Sequence, residues 1–170
     1  MHTDTIKNVR RAEELFISRV KKKGAFRMFM LKELPLAFLV GLKLNSIDHK
    51  TCKIDVPYRW INKNPFRSVY FPCLAMAGEM STGLMAMAKV QGYKPSIALL
   101  VVGLEATFTK KATGITTFTC EEGEHLDKVI QEVISTGEAR TLTMNTIGHN
   151  EEGEEVASFR VKWSFKQRSK

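Results

Sequence analysis

The sequence predicts an α+β fold in which an antiparallel sheet wraps one buried helix, and three observations carry that prediction. The stretch FPCLAMAGEMSTGLMAMAKV, Phe71 to Val90, is apolar all round and rich in Ala and Met, which favour helix. The strand-like segments follow one another instead of alternating with helices, so βαβ units are excluded. Six such strands need cover for their apolar face, and the segment 72–90 is the one helix with enough apolar surface to supply it.

Taken in order, residues 5–23 read as an exposed helix with Val9, Ala12, Phe16 and Val20 on one face. A short helix over 34–40 carries Pro35 in its first turn, where a missing N–H costs little. From Leu42 the period becomes two. Leu42 and Leu44, then Cys52, Ile54 and Val56, alternate with polar residues around a turn at Asp48–Lys50, which predicts a β-hairpin with one wet face. A loop, RWINKNPFRS, precedes the apolar helix, and QGYKP ends it. SIALLVVGLEATFTKKATGITTFTCEEG then reads as two strands joined tightly at KKATG. EHLDKVIQEVIS follows as an amphipathic helix, with Leu126, Val129, Ile130, Val133 and Ile134 at helical spacing. Two strands close the chain around NEEGEE. In the last, Phe159, Val161, Trp163 and Phe165 face one way, and Leu142 and Met144 alternate similarly in the strand before. The expected organisation is one domain of 170 residues, with a helical extension over 1–33 and a core over 34–168.

Composition sets bounds on function. The chain is 44% hydrophobic and 26% charged, ordinary for a globular protein, with a net charge of +8 concentrated towards both ends. Nucleic-acid binding is not expected, because no recognition motif or interleaving of basic with aromatic residues is visible. The charge fits a polyanionic small molecule, or simply solvated basic faces. Cys52, Cys73 and Cys120 form no metal spacing, and an odd count of free thiols points to a reducing, cytoplasmic setting. No signal peptide is expected, since the N-terminus lacks an early apolar run. Stable membrane insertion is not expected either, because Met28 to Leu44 is interrupted by Lys32, Glu33, Pro35 and Lys43. No cofactor is expected: GxGxxG, P-loop and GxSxG motifs are absent, and the four histidines show no metal spacing.

This order of elements resembles the hotdog fold, in which a curved antiparallel sheet wraps a central helix. Within it the chain is most similar to the PaaI-like acyl-CoA thioesterases and a related hotdog family of unknown function. The PaaI-like motif runs Asn, then His-Gly-Gly, then Leu-Ala-Asp-x-Ala-x-Gly on the helix. Here Asn64, Tyr70, Glu79 and Gly83 stand at the Asn, His, Asp and final Gly positions. Tyr70 replaces the histidine, and Phe71 and Pro72 replace the two glycines. The architectural likeness spans residues 35–166. It implies hydrolysis of an acyl thioester, acyl-CoA or another, by a homodimer or homotetramer whose site forms between subunits.

Glu79 is the leading catalytic residue. An acid in an apolar helix is satisfied, protonated or working. Working, it is a general base or a nucleophile towards the thioester carbonyl; otherwise it pairs with a cation or lies at a dimer interface. Asn64 assists by holding water or the carbonyl oxygen, or it only starts a turn at Asn-Pro. Tyr70 donates a phenolic hydrogen bond or packs. Ser81 and Thr82 orient Glu79 or a water, or bond back to a helix carbonyl. Phe71 or Cys73 supplies the backbone N–H for an oxyanion at the helix start, Pro72 having none. The Cys73 thiol reads as a small buried hydrophobe rather than a nucleophile. Arg67, Lys110 and Lys111, with Arg59 and Lys63, are candidates for the phosphates of coenzyme A. The alternative function is a non-catalytic acyl-CoA or lipid-binding hotdog protein, which VYFP in place of His-Gly-Gly supports. A hotdog dehydratase needs a histidine that the loop lacks.

Overall fold

The chain runs α1 (His2–Lys21), α2 (Lys23–Glu33), α3 (Pro35–Val40), β1 (Lys43–Ile47), β2 (Cys52–Val56), a 3-10 turn (Trp60–Asn62), α4 (Phe71–Lys89), β3 (Ile97–Phe108), β4 (Thr116–Cys120), α5 (Gly123–Thr136), β5 (Arg140–His149) and β6 (Glu155–Gln167). This computed structural model describes residues 2–169, with side chains from Lys7 onward. The six strands form one sheet in the order β1-β2-β4-β5-β6-β3, and every neighbouring pair is antiparallel.

Helix α4 is the core, as the sequence predicts. Ala77, Leu84, Met85, Ala86 and Ala88 are buried along it, and it packs on β2, β4, β5 and β6. The sheet answers with Ile54 and Val56 from β2, Phe118 from β4, Met144 from β5, and Phe159, Val161 and Phe165 from β6, all inaccessible. Each large side chain so buried contributes about 1.5–3 kcal/mol. Close approach is possible because Gly78 has no side chain: a Cβ there would stand 2.7 Å from the Phe159 ring.

Three features depart from the sequence reading. KKATG is not a hairpin turn. Strand β3 pairs with β6 and β4 lies between β2 and β5, so residues 109–115 cross from the sheet edge to its middle. The 12 residues of β3 run along nearly the whole of the 13-residue β6, whereas β4 has 5. The helical extension expected over 1–33 is two helices, α1 ending at Lys21 and α2 starting at Lys23, with Phe26 and Met30 as the buried stripe of α2 and Met28 and Leu31 facing outward. The buried face of α1 is carried by Glu13, Ile17 and Val20 rather than by Val9.

One polar atom is out of place. The Thr116 hydroxyl on β4 is wholly buried and has no hydrogen-bond partner among the described residues. Thr116→Val keeps the shape and removes the orphan, so stability should rise by about 1 kcal/mol, read as a higher denaturation midpoint at unchanged m.

Candidate active site

Helix α4 places its lone acid where the sheet stops covering it. Glu79 is half-buried and lines an apolar cavity of about 480 Å³ with Phe29, Leu34, Met80, Gly83, Leu84, Met87, Leu99 and Trp163. Its carboxylate makes no ion pair or hydrogen bond among the described residues. Desolvation by burial holds its pKa above the ordinary carboxylate value. With no counter-charge to offset its partial desolvation, this carboxylate holds a proton more readily than an ordinary exposed one.

The surroundings of Glu79 are set by three residues. Trp163 on β6 donates its indole N–H to Thr82 Oγ1 at 2.9 Å, and Thr82 donates to the Glu79 backbone carbonyl at 2.8 Å. The ring is thereby fixed beside the acid. Gly83 leaves the room: a Cβ there would lie 3.2 Å from Glu79 Oε1 and 3.3 Å from the Trp163 ring. Gly83→Ala should improve helix propensity yet displace the carboxylate. The expected result is a thermal midpoint changed little, with any activity that depends on the placement of Glu79 reduced by up to roughly 10²-fold.

Ser81 points away from the cavity. It donates to the Gly78 carbonyl at 2.8 Å and meets Thr146 Oγ1 of β5 at 2.8 Å, both atoms buried. Ser81 and Thr82 thus both bond back along the helix, three residues towards its start.

The loop candidates gather elsewhere. Asn64, Tyr70, Phe71, Lys110 and Lys111 line a separate cavity of about 450 Å³ that also meets Phe108. Within one chain, then, Asn64 and Glu79 open on different cavities. The Asn64 amide is committed to its loop: Oδ1 accepts from Phe66 N at 3.0 Å and Ser68 N at 3.2 Å, while Nδ2 donates to Ser68 Oγ at 3.0 Å. This folds NPFRS into a tight turn, at whose tip Arg67 takes a left-handed φ of 60°. Asn62 anchors the loop base, accepting from Arg59 N and donating to the Pro57 carbonyl, each at 2.8 Å.

At the helix start, the Cys73 N–H closes a turn on the Tyr70 carbonyl at 2.9 Å. Of the two backbone donors considered, Phe71 is the one left to face a ligand. Burial pushes the Cys73 thiol upward, opposing the helix dipole, and raises Cys120 to about 12 and Cys52 further; none is an activated nucleophile. Tyr70 and Phe71 are exposed and begin an edge-to-face chain through Phe108 to buried Phe159. Lys110 is ion-paired to Glu154, whereas Lys111 is exposed without an ion partner among the described residues.

Sequence reasoning missed Trp163 and Glu33 as neighbours of Glu79. Trp163 had the periodicity of a core residue, and nothing local ties it to a helix 81 positions away. Glu33 ends α2 and lines the same cavity, and no local pattern ties it to Glu79. No histidine lines either cavity, and among the described residues no cluster of His, Cys, Asp and Glu could hold a metal ion.

A six-stranded antiparallel sheet wrapped around one buried helix defines a hotdog fold. Residues 22–165 match the family described as Domain of unknown function (DUF4442), and the chain belongs to that family. Its fold is similar to that of a Pseudomonas aeruginosa protein of unknown function described as a probable thioesterase. The TM-score is 0.73 at 16% identity, over 84% of this chain and 95% of that one. A Chlorobaculum tepidum protein of unknown function gives 0.74 at 16% identity, over 88% and 97%. A mutant of a Staphylococcus aureus thioesterase gives 0.62 at 16% identity, over 78% and 98%. Among curated proteins, none matches this sequence.

Proposed function

We infer that this chain hydrolyses acyl thioesters, with Glu79 as the working carboxylate. The observation that carries the reading is the unpaired, half-buried Glu79 on the core helix, opening on an apolar cavity of acyl-chain character. As a base, Glu79 takes a proton from water while the water oxygen bonds to the thioester carbonyl carbon. The tetrahedral intermediate then expels the thiolate, which recovers the proton and leaves as free thiol. As a nucleophile, the carboxylate attacks the carbonyl, the thiolate leaves, and water cleaves the resulting anhydride. Trp163 and Gly83 hold the acid in position in either case.

The substrate class is acyl-CoA or a similar thioester, for which Lys111 and Arg67 supply cationic side chains near the second cavity. We place the working site between subunits of a homodimer, which would join the Asn64 loop of one protomer to the Glu79 cavity of its partner. Strand β3 supports this arrangement. It is a sheet edge, and Leu100, Val102 and Leu104 stand exposed along it; such an edge invites pairing with a second copy. Three free cysteines suit a reducing compartment, the cytoplasm.

A second reading, an acyl-CoA- or lipid-binding protein without turnover, draws on the helix start, where Phe71 and Pro72 limit the approach of a carbonyl to backbone donors. Release of free thiol from a panel of acyl-CoAs separates the two. Turnover with at least one chain length supports hydrolysis; saturable binding without thiol release across the panel supports the binding protein.

A further inference from the structure

The N-terminal helices carry a surface that the Glu79 cavity does not use. Lys21, Lys23, Arg27, Lys43 and Arg59 converge on a cavity of about 290 Å³ floored by Phe26, Met30, Phe38 and Leu42. They come from α1, α2, β1 and the segment before the 3-10 turn, so the fold collects them from four places in the chain. None closes an ion pair among the described residues. Arg27 instead lies over the Phe38 ring, 5.5 Å from its centroid. The Arg59 guanidinium lies against Gly41, where a Cβ would stand 2.5 Å from it. Of nearby acids, Asp48 feels the charge of Lys21, Asp55 stands across the strand pair from Lys43 and accepts hydrogen bonds from Asn45 and Thr117, and Glu33 lines the Glu79 cavity.

Beside these cations stand large apolar side chains that nothing among the described residues covers. On α2 these are Met28 and Leu31, on α3 Leu36 and Leu39, and on the 3-10 turn Trp60 and Ile61; α3 packs against both of its neighbours here. Leu36 is 68% exposed and Trp60 80%. The basic cavity borders β1, at the opposite end of the strand order from β3. Dimerisation through β3 therefore does not account for it.

The geometry points to a peripheral docking surface for a membrane rich in anionic lipid, with the leucines and Trp60 entering the headgroup region and the cations meeting lipid phosphates. Charge decides between occupants. A second copy of the same face would bring five cations against five, which repel. A polynucleotide would engage the cations but leave the leucines and Ile61 in water. An anionic bilayer surface satisfies both, since each Lys or Arg near it adds attraction and apolar side chains gain by burial at the headgroup boundary. Trp60, an amphipathic ring at the rim, suits that interface. No described helix is long and apolar enough to cross a membrane, so the contact is superficial. The inference stands independently of the chemistry at Glu79.

The test is sedimentation of the full chain with vesicles of phosphatidylcholine alone and of equimolar phosphatidylcholine and phosphatidylglycerol. Binding should be at least roughly tenfold tighter to the anionic vesicles and should weaken as salt rises. Emission should shift to the blue on binding. Trp60 is the exposed one of the two tryptophans, Trp163 being 7% exposed, so Trp60→Phe should abolish the shift. Lys23→Glu with Arg27→Glu should reduce anionic binding at least roughly tenfold, as should Leu36→Ser with Leu39→Ser. An unchanged thermal midpoint shows that these surface variants fold. Equal affinity for the two vesicle types, or no binding to either, overturns the proposal. So does a concentration-dependent oligomer that the leucine variant dissolves while vesicles capture nothing.

Discussion

Glu79→Gln is expected to melt at a higher temperature than the wild type at neutral pH while losing about 10²–10⁴ of the hydrolytic rate. Both halves follow from one fact. The folded protein holds Glu79 partly out of water with no counter-charge, which raises its pKa above the ordinary 4.5. A carboxyl with a raised folded-state pKa favours folding only while protonated. The wild type therefore carries a penalty that grows as pH rises above 4.5 and vanishes below it. The amide keeps the shape without the charge, so the stability gain of the variant should be largest at neutral and alkaline pH. It should shrink as pH falls towards 4.5. The same amide cannot accept a proton from water, which removes the base. A variant that is both more stable and inactive marks a group retained for chemistry at a cost to the fold. Melting curves at several pH values, alongside thiol-release rates, check both halves.

Lys89→Ala is expected to be the most damaging single change outside the apolar core. Lys89 ends the core helix with its side chain 4% exposed, bonded to Glu13 of α1 at 3.1 Å and Asp127 of α5 at 2.8 Å. Glu13 is itself 8% exposed and also meets His49 Nδ1 at 3.0 Å. Removing the lysine leaves the buried Glu13 carboxylate with only the His49 imidazole, a loss of about 3 kcal/mol. Asp127 is open to water and adds little. Because the damage is an uncompensated charge rather than a lost contact, Lys89→Met with Glu13→Leu should recover most of the stability that Lys89→Met loses. Denaturant titration of the three variants reads this directly. A neutral Lys89→Met would show that the pair does not fasten α1 to the core.

The sequence made the centre of this molecule legible and left its periphery obscure. Helix α4 could be read because an apolar stretch as long as Phe71 to Val90 has one comfortable place in a small protein, and Glu79 stood out against it. The alternation of β2 and β6 was equally plain, since a half-buried strand must alternate. Helix α2 was obscured because its outward side mixes Met28 and Leu31 with Lys23, Arg27, Lys32 and Glu33, so no clean apolar stripe stands against a polar face; the exposed apolar residues there are the ones the membrane-docking proposal uses. The place of β3 in the sheet was hidden for a related reason. An edge strand apolar on both faces carries no period, and its partner, β6, lies far along the chain. The candidate site was legible only in part. Glu79 announced itself, but Trp163 and Glu33 reach it through space, and the commitment of Asn64 to its own turn depends on a loop geometry that NPF allows without dictating.

The central claim is that Glu79 is the working carboxylate in thioester hydrolysis, as base or nucleophile, and the pH dependence of kcat/KM for acyl-CoA hydrolysis tests it most directly. The rate should fall on the acid side with a midpoint above 4.5, the ordinary carboxylate value, and this limb should be missing from the residual activity of Glu79→Gln. An acid limb unchanged by that substitution, or the absence of any turnover in the wild type, would contradict it.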